Sequence, residues 1–445
     1  MNKIDNHNGI IVALATPYGK SAVAIIRISG EGSIELAQRY LSRALKVGVI
    51  EYNVFKADKF EEKLMAACYK APKSYSGEET VELFPHGNMT ICDGIIESLI
   101  KGGARTAERG EFTKRAFENG KLDLMQCEAL ADIIDAQTTE QLNYGNKRYD
   151  GGFKSLETAE KTLNKALSSV EAVLHYGDEM EENEIDEAVM SDVFGSIDSV
   201  IKALNEEVNG YVGGKIVNDG FKVALIGAPN VGKSTLLNVL TDSERAIVTP
   251  IAGTTRDTVD GNYIYKDRKF TVVDTAGLNV NTSDEVEKIG MQRAVKAAEQ
   301  ADAVLFVTDN ACVEPNLACK VKNLTVLVNK CDGEKEVGAQ YNKCSDGNKI
   351  RISAKNKVNI TAVKQKLYDL CPKDYGAICN HRQYACAMRC LNSLNEAKRE
   401  SAGAQSLEIV AALLYEAYSA ITELYGEQAD EKVLDSVFQR FCVGK

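Results

Sequence analysis

The stretch FKVALIGAPNVGKST, residues 221–235, decides the fold of the central part of the chain. An apolar, strand-like run leads into the glycine-rich sequence GAPNVGKS at 227–234, and a helical stretch follows. A phosphate-binding loop requires this context, because backbone N–H groups and the helix N-terminus attract the phosphates of a nucleotide. Lys233 adds a positive charge, and the Ser234 hydroxyl is a ligand suited to Mg²⁺.

Three further signatures follow along the chain and select the nucleotide. The strand-like run FTVVDTAG, residues 270–277, delivers Asp274, whose carboxylate can hold the water shell of the metal. The run LTVLVNKCD, residues 324–332, ends in Asp332, which can accept hydrogen bonds from N1 and N2 of guanine. The sequence SAK at 353–355 closes the base pocket. Because adenine lacks this pair of donors, the set predicts GTP rather than ATP.

Between these signatures lies a polar loop, TPIAGTTRD at residues 249–257, with the character of a switch. Thr255 would complete the Mg²⁺ shell only while a γ-phosphate is present. The residue after DTAG is Leu278, an apolar side chain that cannot orient the attacking water as glutamine does in many GTPases. We therefore expect another group to position that water.

The segments on either side of this region differ from it in hydrophobic pattern. In residues 1–122, strand-like patterns occur at 9–16 and 22–29, which are rich in Val and Ile, and at 81–84, where apolar and polar residues alternate. Helical patterns occur at 33–45 and 113–119. This mixture indicates an α+β domain. Residues 123–215 have apolar positions three and four apart, as on amphipathic helices.

The remaining residues complete the expected organisation. Residues 216–378 alternate strands with helices, as in a parallel α/β sheet, and Gly213-Gly214 is expected to be the hinge before them. Residues 379–445 return to a helical pattern. Since neither helical segment has an obvious partner in its own neighbourhood, we infer one discontinuous helical domain with the α/β domain inserted. The fold class is therefore multidomain.

Composition limits the function classes. The chain has 445 residues, a net charge of −11 and 12 irregularly spaced cysteines. No apolar run is long enough to span a membrane, so we expect a cytoplasmic protein without membrane association. The cysteine spacing favours reduced, mostly buried thiols over a zinc site or disulfides. The charge argues against coating nucleic acid by general electrostatics but leaves local basic patches open. The acidic stretch 178–187 is interpreted as a solvated helix end or loop.

Long strings of sequence carry a family resemblance over essentially the whole chain. They are ATPYGKSAVAIIRISG at 15–30, PKSYSGEETVELFPHGN at 72–88, RGEFTKRAFENGKLDLMQCEALADIIDAQT at 109–138, AGTTRD at 252–257, DTAGL at 274–278, DEVEKIG at 284–290 and FCVGK at 441–445. They resemble the MnmE family of tRNA-modification GTPases. Two departures are Arg109-Gly110, where the family has Pro-Gly, and His86-Gly87-Asn88, where it has His-Gly-Gly.

The resemblance implies a potassium-dependent, Ras-like P-loop GTPase domain. It implies that the side chains of Asn230 and Thr254, with the carbonyls of Thr249 and Ile251, coordinate K⁺ as a fixed positive charge. It also implies that Glu287 is catalytic and orients the attacking water; the match there crosses one extra residue. The predicted GTP-binding residues are Asn230, Val231, Gly232, Lys233, Ser234, Thr235, Thr249, Thr254, Thr255, Asp274, Thr275, Ala276, Gly277, Asn329, Lys330, Asp332, Ser353, Ala354 and Lys355, with Ser234 and Thr255 as Mg²⁺ ligands.

The resemblance further implies that the N-terminal domain binds 5-formyl- or 5,10-methylene-tetrahydrofolate and forms a homodimer. The folate-binding residues carried over are Arg27, Glu82 and Lys121, and Lys445 is expected to reach the same site. Cys442 becomes a candidate for the modification chemistry, with simple packing at a helix end as the alternative.

Together these implications predict a GTP hydrolase of tRNA modification. With an FAD-containing partner resembling MnmG, in a heterotetramer, it would install an aminomethyl or carboxymethylaminomethyl group at C5 of the wobble uridine of certain tRNAs. The alternatives are a GTPase switch of ribosome assembly, which predicts a basic RNA-binding appendage that the sequence lacks, and a folate enzyme with a vestigial GTPase domain.

Overall fold

A computed structural model of the chain describes residues 9–151, 154–176, 185–241, 260–274, 296–310, 321–332, 349–402 and 407–445. Within those ranges no helix combines the length and apolar character that crossing a membrane requires. The switch loop at 249–257, residues 275–278 and Glu287 lie outside the described residues, as does most of the acidic stretch at 178–187.

The N-terminal part of the chain folds around a six-stranded sheet of order β3-β4-β5-β2-β1-β6. Its antiparallel β2–β5 pairing places Arg27 opposite Glu82. The elements are β1 Ile11–Leu14, β2 Ile26–Ser29, α1 Ser33–Gln38, β3 Glu51–Lys56, β4 Glu61–Tyr69, β5 Thr80–Phe84, α2 Met89–Lys101, β6 Arg105–Thr106 and α3 Glu111–Glu118.

The expected helix at 33–45 is wrong in its second half, because α1 ends at Gln38. The buried amide of Asn53 on β3 explains the early end. Its Oδ1 accepts from Ser42 Oγ and from the Arg43 backbone N–H, both at 3.1 Å, and its Nδ2 donates to the Arg43 carbonyl at 2.9 Å. These contacts replace the helical hydrogen bonds that residues 42–43 would otherwise need.

The helical domain is discontinuous, as expected. One apolar core contains Leu156, Leu163, Leu167 and Val170 together with Val410, Leu414, Ala417 and Ile421 from the C-terminal part, although Leu174 of the same predicted stripe is 36% exposed. The helices are α4 Leu124–Asp135, α5 Thr139–Tyr149, α6 Lys154–Tyr176 and α7 Ile185–Asp219, then α10 His381–Ala402, α11 Leu407–Tyr425 and α12 Glu431–Phe438.

The expected hinge at Gly213-Gly214 is wrong, because both glycines lie inside the continuous helix α7. They serve close packing instead. A Cβ on Gly213 would strike the Asp374 carbonyl, and one on Gly214 would strike the Tyr144 hydroxyl and, at 2.6 Å, the Ile378 carbonyl. The chain that leaves the α/β domain therefore packs directly against the α7 backbone at these positions, because glycine has no side chain to separate the two segments.

The inserted domain is a six-stranded sheet of order β12-β11-β10-β7-β9-β8, in which β8 pairs antiparallel with β9 and the other described pairs are parallel. This order brings the carboxyl ends of β7, β10 and β11 to one edge, where ligands bind in such folds. The elements are β7 Phe221–Ile226, α8 Lys233–Thr241, β8 Asp260–Tyr265, β9 Arg268–Asp274, β10 Ala303–Thr308, β11 Leu324–Val328, β12 Lys349–Arg351 and α9 Ile360–Asp369; residues 296–300 are also helical.

The turn between β8 and β9 docks the inserted domain onto helix α5. The guanidinium of Arg268 forms a two-pronged ion pair with Glu140, with Nε to Oε2 at 2.9 Å, and also donates to the Pro372 carbonyl at 2.9 Å. The neighbouring Asp267 carboxylate accepts the backbone N–H of Thr139 at 2.9 Å. One turn therefore contacts both the helical domain and the chain leaving the α/β domain.

Candidate functional sites

The phosphate loop connects β7 to α8 as the sequence predicts. Asn230 at φ 62° and Gly232 at φ 98° adopt left-handed backbone conformations, which curl the loop before the helix begins at Lys233. The buried Lys233 ammonium lies within this curve, where it donates to the carbonyls of Gly227 and Ala228 at 2.7 Å each. Its charge is therefore held where the phosphates of a nucleotide would approach.

Asn329, at the end of β11, joins the phosphate loop to the base-recognition loop. Its Nδ2 donates to the Val231 carbonyl at 2.8 Å, and its Oδ1 accepts from the Ala354 backbone N–H at 2.9 Å. The side chain is buried, and both ends of its amide are used. Three predicted site segments, at 230–232, 329–332 and 353–355, are therefore connected through one amide.

The base-recognition end is built around Asp332. The hydroxyl of Ser353 donates to Asp332 Oδ1, and the amide of Asn356 approaches the same oxygen at 3.4 Å. Asn356 was not predicted from the sequence, because it lies just beyond the SAK motif and has no signature of its own. The Ser353 Oγ in turn accepts the Asn356 backbone N–H at 3.1 Å, so the loop closes on itself beside the carboxylate.

Lys330 forms an ion pair with Asp309, a residue that the sequence motifs do not indicate. It adopts a left-handed backbone conformation, with φ 66°, and its Nζ lies 3.0 Å from Oδ2 of Asp309, which follows β10. The hydrogen bond from the Lys330 ammonium holds the pKa of the Asp309 carboxyl below its ordinary value. Both side chains are about half exposed, so the pair orients the lysine stem and contributes little to stability.

Most residues predicted for the metal-binding and switch part of the GTP site lie outside the described residues. These are Thr249, Ile251, Thr254, Thr255, Thr275, Ala276, Gly277 and Glu287. Asp274 ends strand β9, opposite Leu225 of β7, which puts its backbone at the same sheet edge as the phosphate loop. The proposed ligands of Mg²⁺ and K⁺ in those segments remain predictions.

A second cluster lies on the sheet of the N-terminal domain. Arg27 donates from Nε to Glu82 Oε1 at 3.0 Å, and the two side chains are 16% and 18% exposed. The ring of Tyr75 lies 5.0 Å from the guanidinium carbon, and the ring of Phe112 lies 5.7 Å away. Lys121 contacts the loop that carries Tyr75, because its Nζ donates to the Pro72 carbonyl at 3.0 Å.

The C-terminal segment, residues 441–445, is anchored on this cluster. The Arg27 guanidinium donates to the Gly444 carbonyl at 3.1 Å, and the Arg109 Nε donates to the Phe441 carbonyl at 3.2 Å. Val443 forms an antiparallel bridge with Arg109. Gly444, with φ 100°, lies so close to the Leu14 carbonyl that no side chain fits there. The segment carrying Cys442 and Lys445 is therefore held against predicted folate residues that are distant in sequence.

Comparison with known proteins decides the family. A family model described as the MnmE helical domain matches residues 124–442, and one described as the GTP-binding protein TrmE N-terminus matches residues 10–121. Proteins named tRNA modification GTPase MnmE are similar over nearly their whole length. Those of Thermotoga petrophila, Pseudothermotoga lettingae and Aquifex aeolicus are 33%, 35% and 36% identical to this chain, covering 98% of it and 99% of each relative.

The chain belongs to the MnmE family of tRNA-modification GTPases. It is a GTP-hydrolysing enzyme that acts in tRNA modification. The fold class predicted from the sequence is confirmed, with the MnmE helical domain, a TrmE-type N-terminal domain and an inserted P-loop domain in one chain.

Its two departures from the MnmE pattern have structural roles here. Arg109, at the position of a family proline, supplies the side-chain hydrogen bond to Phe441 described above, which proline cannot make. Asn88, at the position of a family glycine, caps helix α2, because its Oδ1 accepts the Thr90 backbone N–H at 2.9 Å. Both side chains therefore make hydrogen bonds that the family proline and glycine have no side-chain group to make.

Cys442 differs from the other described cysteines of this MnmE chain in its environment. Seven of the cysteines in the described ranges are buried, and burial raises the pKa of Cys379 and of Cys390 to about 12. Such thiols are small core side chains with little thiolate at neutral pH. Cys442 is exposed, so its thiol can be reached by a substrate.

Proposed function

We propose that the chain couples potassium-dependent GTP hydrolysis to modification of the wobble uridine of certain tRNAs. In this proposal an MnmG-like FAD protein is the partner in a heterotetramer, and a tetrahydrofolate supplies the one-carbon unit of the aminomethyl or carboxymethylaminomethyl group at C5. The observation that carries the proposal is the contact between Arg27 and Gly444, which holds the Cys442 segment against the predicted folate residues.

The nucleotide site supports the hydrolytic part. Ser234 follows Lys233 at the start of α8, where a hydroxyl can bind Mg²⁺ beside the β-phosphate. Asn230 is exposed on the curve of the phosphate loop and offers an amide oxygen suited to K⁺. We propose that Thr255 completes the Mg²⁺ shell and that Thr249, Ile251 and Thr254 complete the K⁺ shell. A bound K⁺ would supply a fixed positive charge for the charge that develops during hydrolysis.

The N-terminal cluster fits a folate. A pterin ring presents a row of donors, from which the Glu82 carboxylate can accept hydrogen bonds, and the partly exposed ring of Tyr75 beside Arg27 offers an apolar face. Lys121 and Lys445 supply cations for the carboxylates of the glutamate tail. Since the ion pair with Arg27 orients Glu82, the carboxylate is ready to accept hydrogen bonds without reorganisation.

A homodimer through the N-terminal domain is supported by an exposed apolar edge. Strand β3 is the outer strand of the sheet, and several apolar side chains on and shortly before it are exposed, although Phe55 on the same strand is buried. The exposed side chains are Val47 at 52%, Val49 at 44%, Ile50 at 56% and Tyr52 at 45%, with Met65 of the adjacent β4 at 39%. An exposed apolar patch of this kind marks an interaction surface, and we propose that a second copy of the chain covers it.

The experiment that tests this function is mass spectrometry of tRNA nucleosides from cells that lack the protein. The proposal predicts loss of the modified wobble uridines and their return when the gene is restored. The ribosome-assembly alternative predicts unchanged wobble uridines and fewer mature ribosomal subunits. Unchanged nucleosides would contradict the proposal, and so would absence of the protein from the cytoplasmic fraction, where we expect it to act.

A further inference from the structure

On its N-terminal side the inserted domain is joined to helix α7 by a single residue, Gly220. Helix α7 ends at Asp219, and β7 begins at Phe221. Gly220 has a left-handed backbone conformation, with φ 95°, and a Cβ added to it would lie 3.1 Å from Cγ of Lys269 on β9. Such a position favours glycine. Because the stem of Lys269 lies over this connection, a rotation of the inserted domain about it displaces the lysine relative to the helical domain.

Lys269 lines a polar cleft of about 440 Å³ between the inserted domain and the helical domain. In the part of the chain that the structure describes, no carboxylate lies at ion-pair distance from its ammonium. Burial lowers the pKa of Lys269, and the charges of Asp219 and Asp135 act against that shift. The cation is therefore partly desolvated and lies near two carboxylates without being paired with either.

Asp135, the last residue of α4, lies on the helical-domain wall of the same cleft. Its side chain is 62% exposed, and its Oδ2 lies 3.3 Å from Nη2 of Arg440. The same nitrogen of Arg440 lies 2.6 Å from Oδ1 of Asp132, which is only 6% exposed and also pairs with the buried Arg148. Arg440 therefore has one buried, fixed partner and one exposed partner that another cation can take.

Arg440 connects this cleft to the segment proposed to take part in the modification chemistry. Its side chain lines the cleft, whereas the next two residues are the buried Phe441 and the exposed Cys442. Arg440 and Asp135 also line a second cavity, of about 600 Å³, to which Cys442 contributes. The ion pair between Arg440 and Asp135 is therefore shared by the interdomain cleft and the cavity beside Cys442.

We propose that Arg440 is a positioning residue for Cys442 and that Lys269 controls it by competing for Asp135. When the inserted domain turns towards α4, the ammonium of Lys269 reaches Asp135, and Arg440 keeps only Asp132. The two cations repel each other, so they do not share one carboxylate at full strength. The C-terminal segment then loses one of the contacts that hold it, and Cys442 moves. This inference rests on the proposed function, which gives Cys442 its role in modification.

The reactivity of Cys442 tests this competition. The full-length chain is treated with iodoacetamide in K⁺ buffer, with either GDP or a non-hydrolysable GTP analogue, and peptide mass spectrometry follows alkylation of Cys442. We expect the two nucleotides to give rates that differ by about threefold, the effect of one partly exposed ion pair. The faster rate belongs to the state in which Lys269 holds Asp135. Equal rates in the wild-type chain would overturn the proposal.

Two variants should fix the reactivity of Cys442 at opposite values. Lys269→Gln removes the competing cation, so we expect the slower rate with both nucleotides, whereas Lys269→Arg keeps the charge and should retain the difference. Asp135→Asn removes the shared carboxylate, so we expect the faster rate with both nucleotides, and the double variant should behave like Asp135→Asn. A general loss of packing would shift both single variants in the same direction, and that result would overturn the competition.

Lys222→Gln is the matched control. Lys222 lines the same cleft but lies beside Asp302, whose carboxylate accepts its backbone N–H at 2.9 Å. We expect this variant to keep the nucleotide difference of the wild-type chain. An effect equal to that of Lys269→Gln would assign the behaviour to the overall charge of the cleft and overturn the specific competition. GTP hydrolysis, measured for every variant, checks that the inserted domain is folded.

The same variants separate this inference from the proposed function. In a reconstituted reaction with the FAD partner, Lys269→Gln should lower kcat for tRNA modification about threefold and leave KM for tRNA and the rate of GTP hydrolysis unchanged. An unchanged kcat would contradict the role of Arg440 as a positioning residue. Failure of the wild-type chain to support modification of any uridine would instead contradict the proposed function, whereas the alkylation rates test the competition by themselves.

Discussion

Asn329 shows how much of the nucleotide site depends on one side chain. Its amide connects the Val231 carbonyl of the phosphate loop with the Ala354 N–H of the base-recognition loop, and it is 5% exposed. Without the amide, a buried carbonyl and a buried N–H lose their partners, and each such loss costs ~1–3 kcal/mol. The distance between the phosphate and base ends of the site is therefore set by a residue that precedes the base-specific aspartate.

We expect Asn329→Ala to lower the free energy of unfolding of the inserted domain by about 2 kcal/mol and the affinity for GDP by about tenfold or more. Urea denaturation and titration with a fluorescent guanine nucleotide measure these effects. Asn356→Ala is the control, because its amide lies on the surface, 3.4 Å from Asp332, and its change is expected within about 0.5 kcal/mol. Equal effects of the two substitutions would contradict the linking role.

Leu278 leaves the attacking water without a glutamine, so hydrolysis is expected to depend on K⁺ and Glu287. Replacing K⁺ with Na⁺ should lower the rate about 100-fold, because a fixed charge at the transition state contributes that order of magnitude. Glu287→Ala should lower kcat about 100-fold in K⁺ without weakening GTP binding. Glu285→Ala, on the neighbouring carboxylate, is the control. Equal rates in both salts, or an active Glu287→Ala, would show that the water is positioned otherwise.

Helix α7 contains glycines with opposite structural roles. Gly195 has open space around it, since a Cβ added there would meet no atom within 4 Å, whereas Gly213 lies against the Asp374 carbonyl. The effect of an alanine at Gly195 should therefore depend only on its higher helix propensity. At Gly213 the same gain in helix propensity is opposed by a clash with the Asp374 carbonyl. Sequence could not distinguish them, since the segment that contacts Gly213 lies more than 150 residues away in the chain.

We expect Gly195→Ala to raise the free energy of unfolding of the helical domain by about 0.5–1 kcal/mol, the helix propensity difference. Gly213→Ala should lower it by about 1–3 kcal/mol, because the methyl group displaces the segment at 374–378. Chemical denaturation monitored by far-ultraviolet circular dichroism compares the two. A stabilising Gly213→Ala would indicate that the close approach to α7 is not maintained in solution.

The β8–β9 hairpin docks the inserted domain onto α5 at its turn and at Arg268, and in the chain it lies between the switch loop and the end of β9 at Asp274. Arg268 and Glu140 are 10% and 20% exposed, so removing one charge leaves the other poorly solvated. Substituting either residue alone should therefore weaken docking of the inserted domain strongly, whereas exchanging the two charges should weaken it less.

We predict that Arg268→Gln raises hydrogen exchange at the N-terminal amides of α5, including Thr139, about 100-fold, which corresponds to about 3 kcal/mol of lost docking. The exchanged pair Arg268→Glu with Glu140→Arg should recover part of the protection. Lys398→Gln serves as a control, because its ion pair with Asp198 is about half exposed on both sides. Unchanged exchange in Arg268→Gln would show that other contacts hold the domain.

The parts that could be predicted from the sequence are those whose signal is local. The phosphate loop, Asn329, Asp332 and the SAK sequence are each recognised within a few residues, and the sheet brings them to one edge. The end of α1 at Gln38 could not be predicted, because it depends on the Asn53 amide of another strand. The contact of Arg27 with Gly444 spans 417 residues and has no local signature.

Across the full chain, the two active regions are separate sites joined through the helical domain. The GTP site lies in the inserted domain, whereas Cys442 and the cluster that we propose binds folate lie where the N-terminal sheet meets the C-terminal segment. We propose that hydrolysis affects that second region by moving whole domains, through contacts such as the β8–β9 turn on α5. We therefore propose that GTP hydrolysis and tRNA modification are coupled in this chain.

Reconstitution tests that coupling most directly. Purified chain, its FAD partner, a tetrahydrofolate, an amino donor and unmodified tRNA are incubated with K⁺ and either GTP or a non-hydrolysable GTP analogue, and wobble uridines are measured by mass spectrometry. We expect repeated rounds of modification with GTP in K⁺ and little modification with the analogue or in Na⁺. Equal yields with GTP and with the analogue would contradict it.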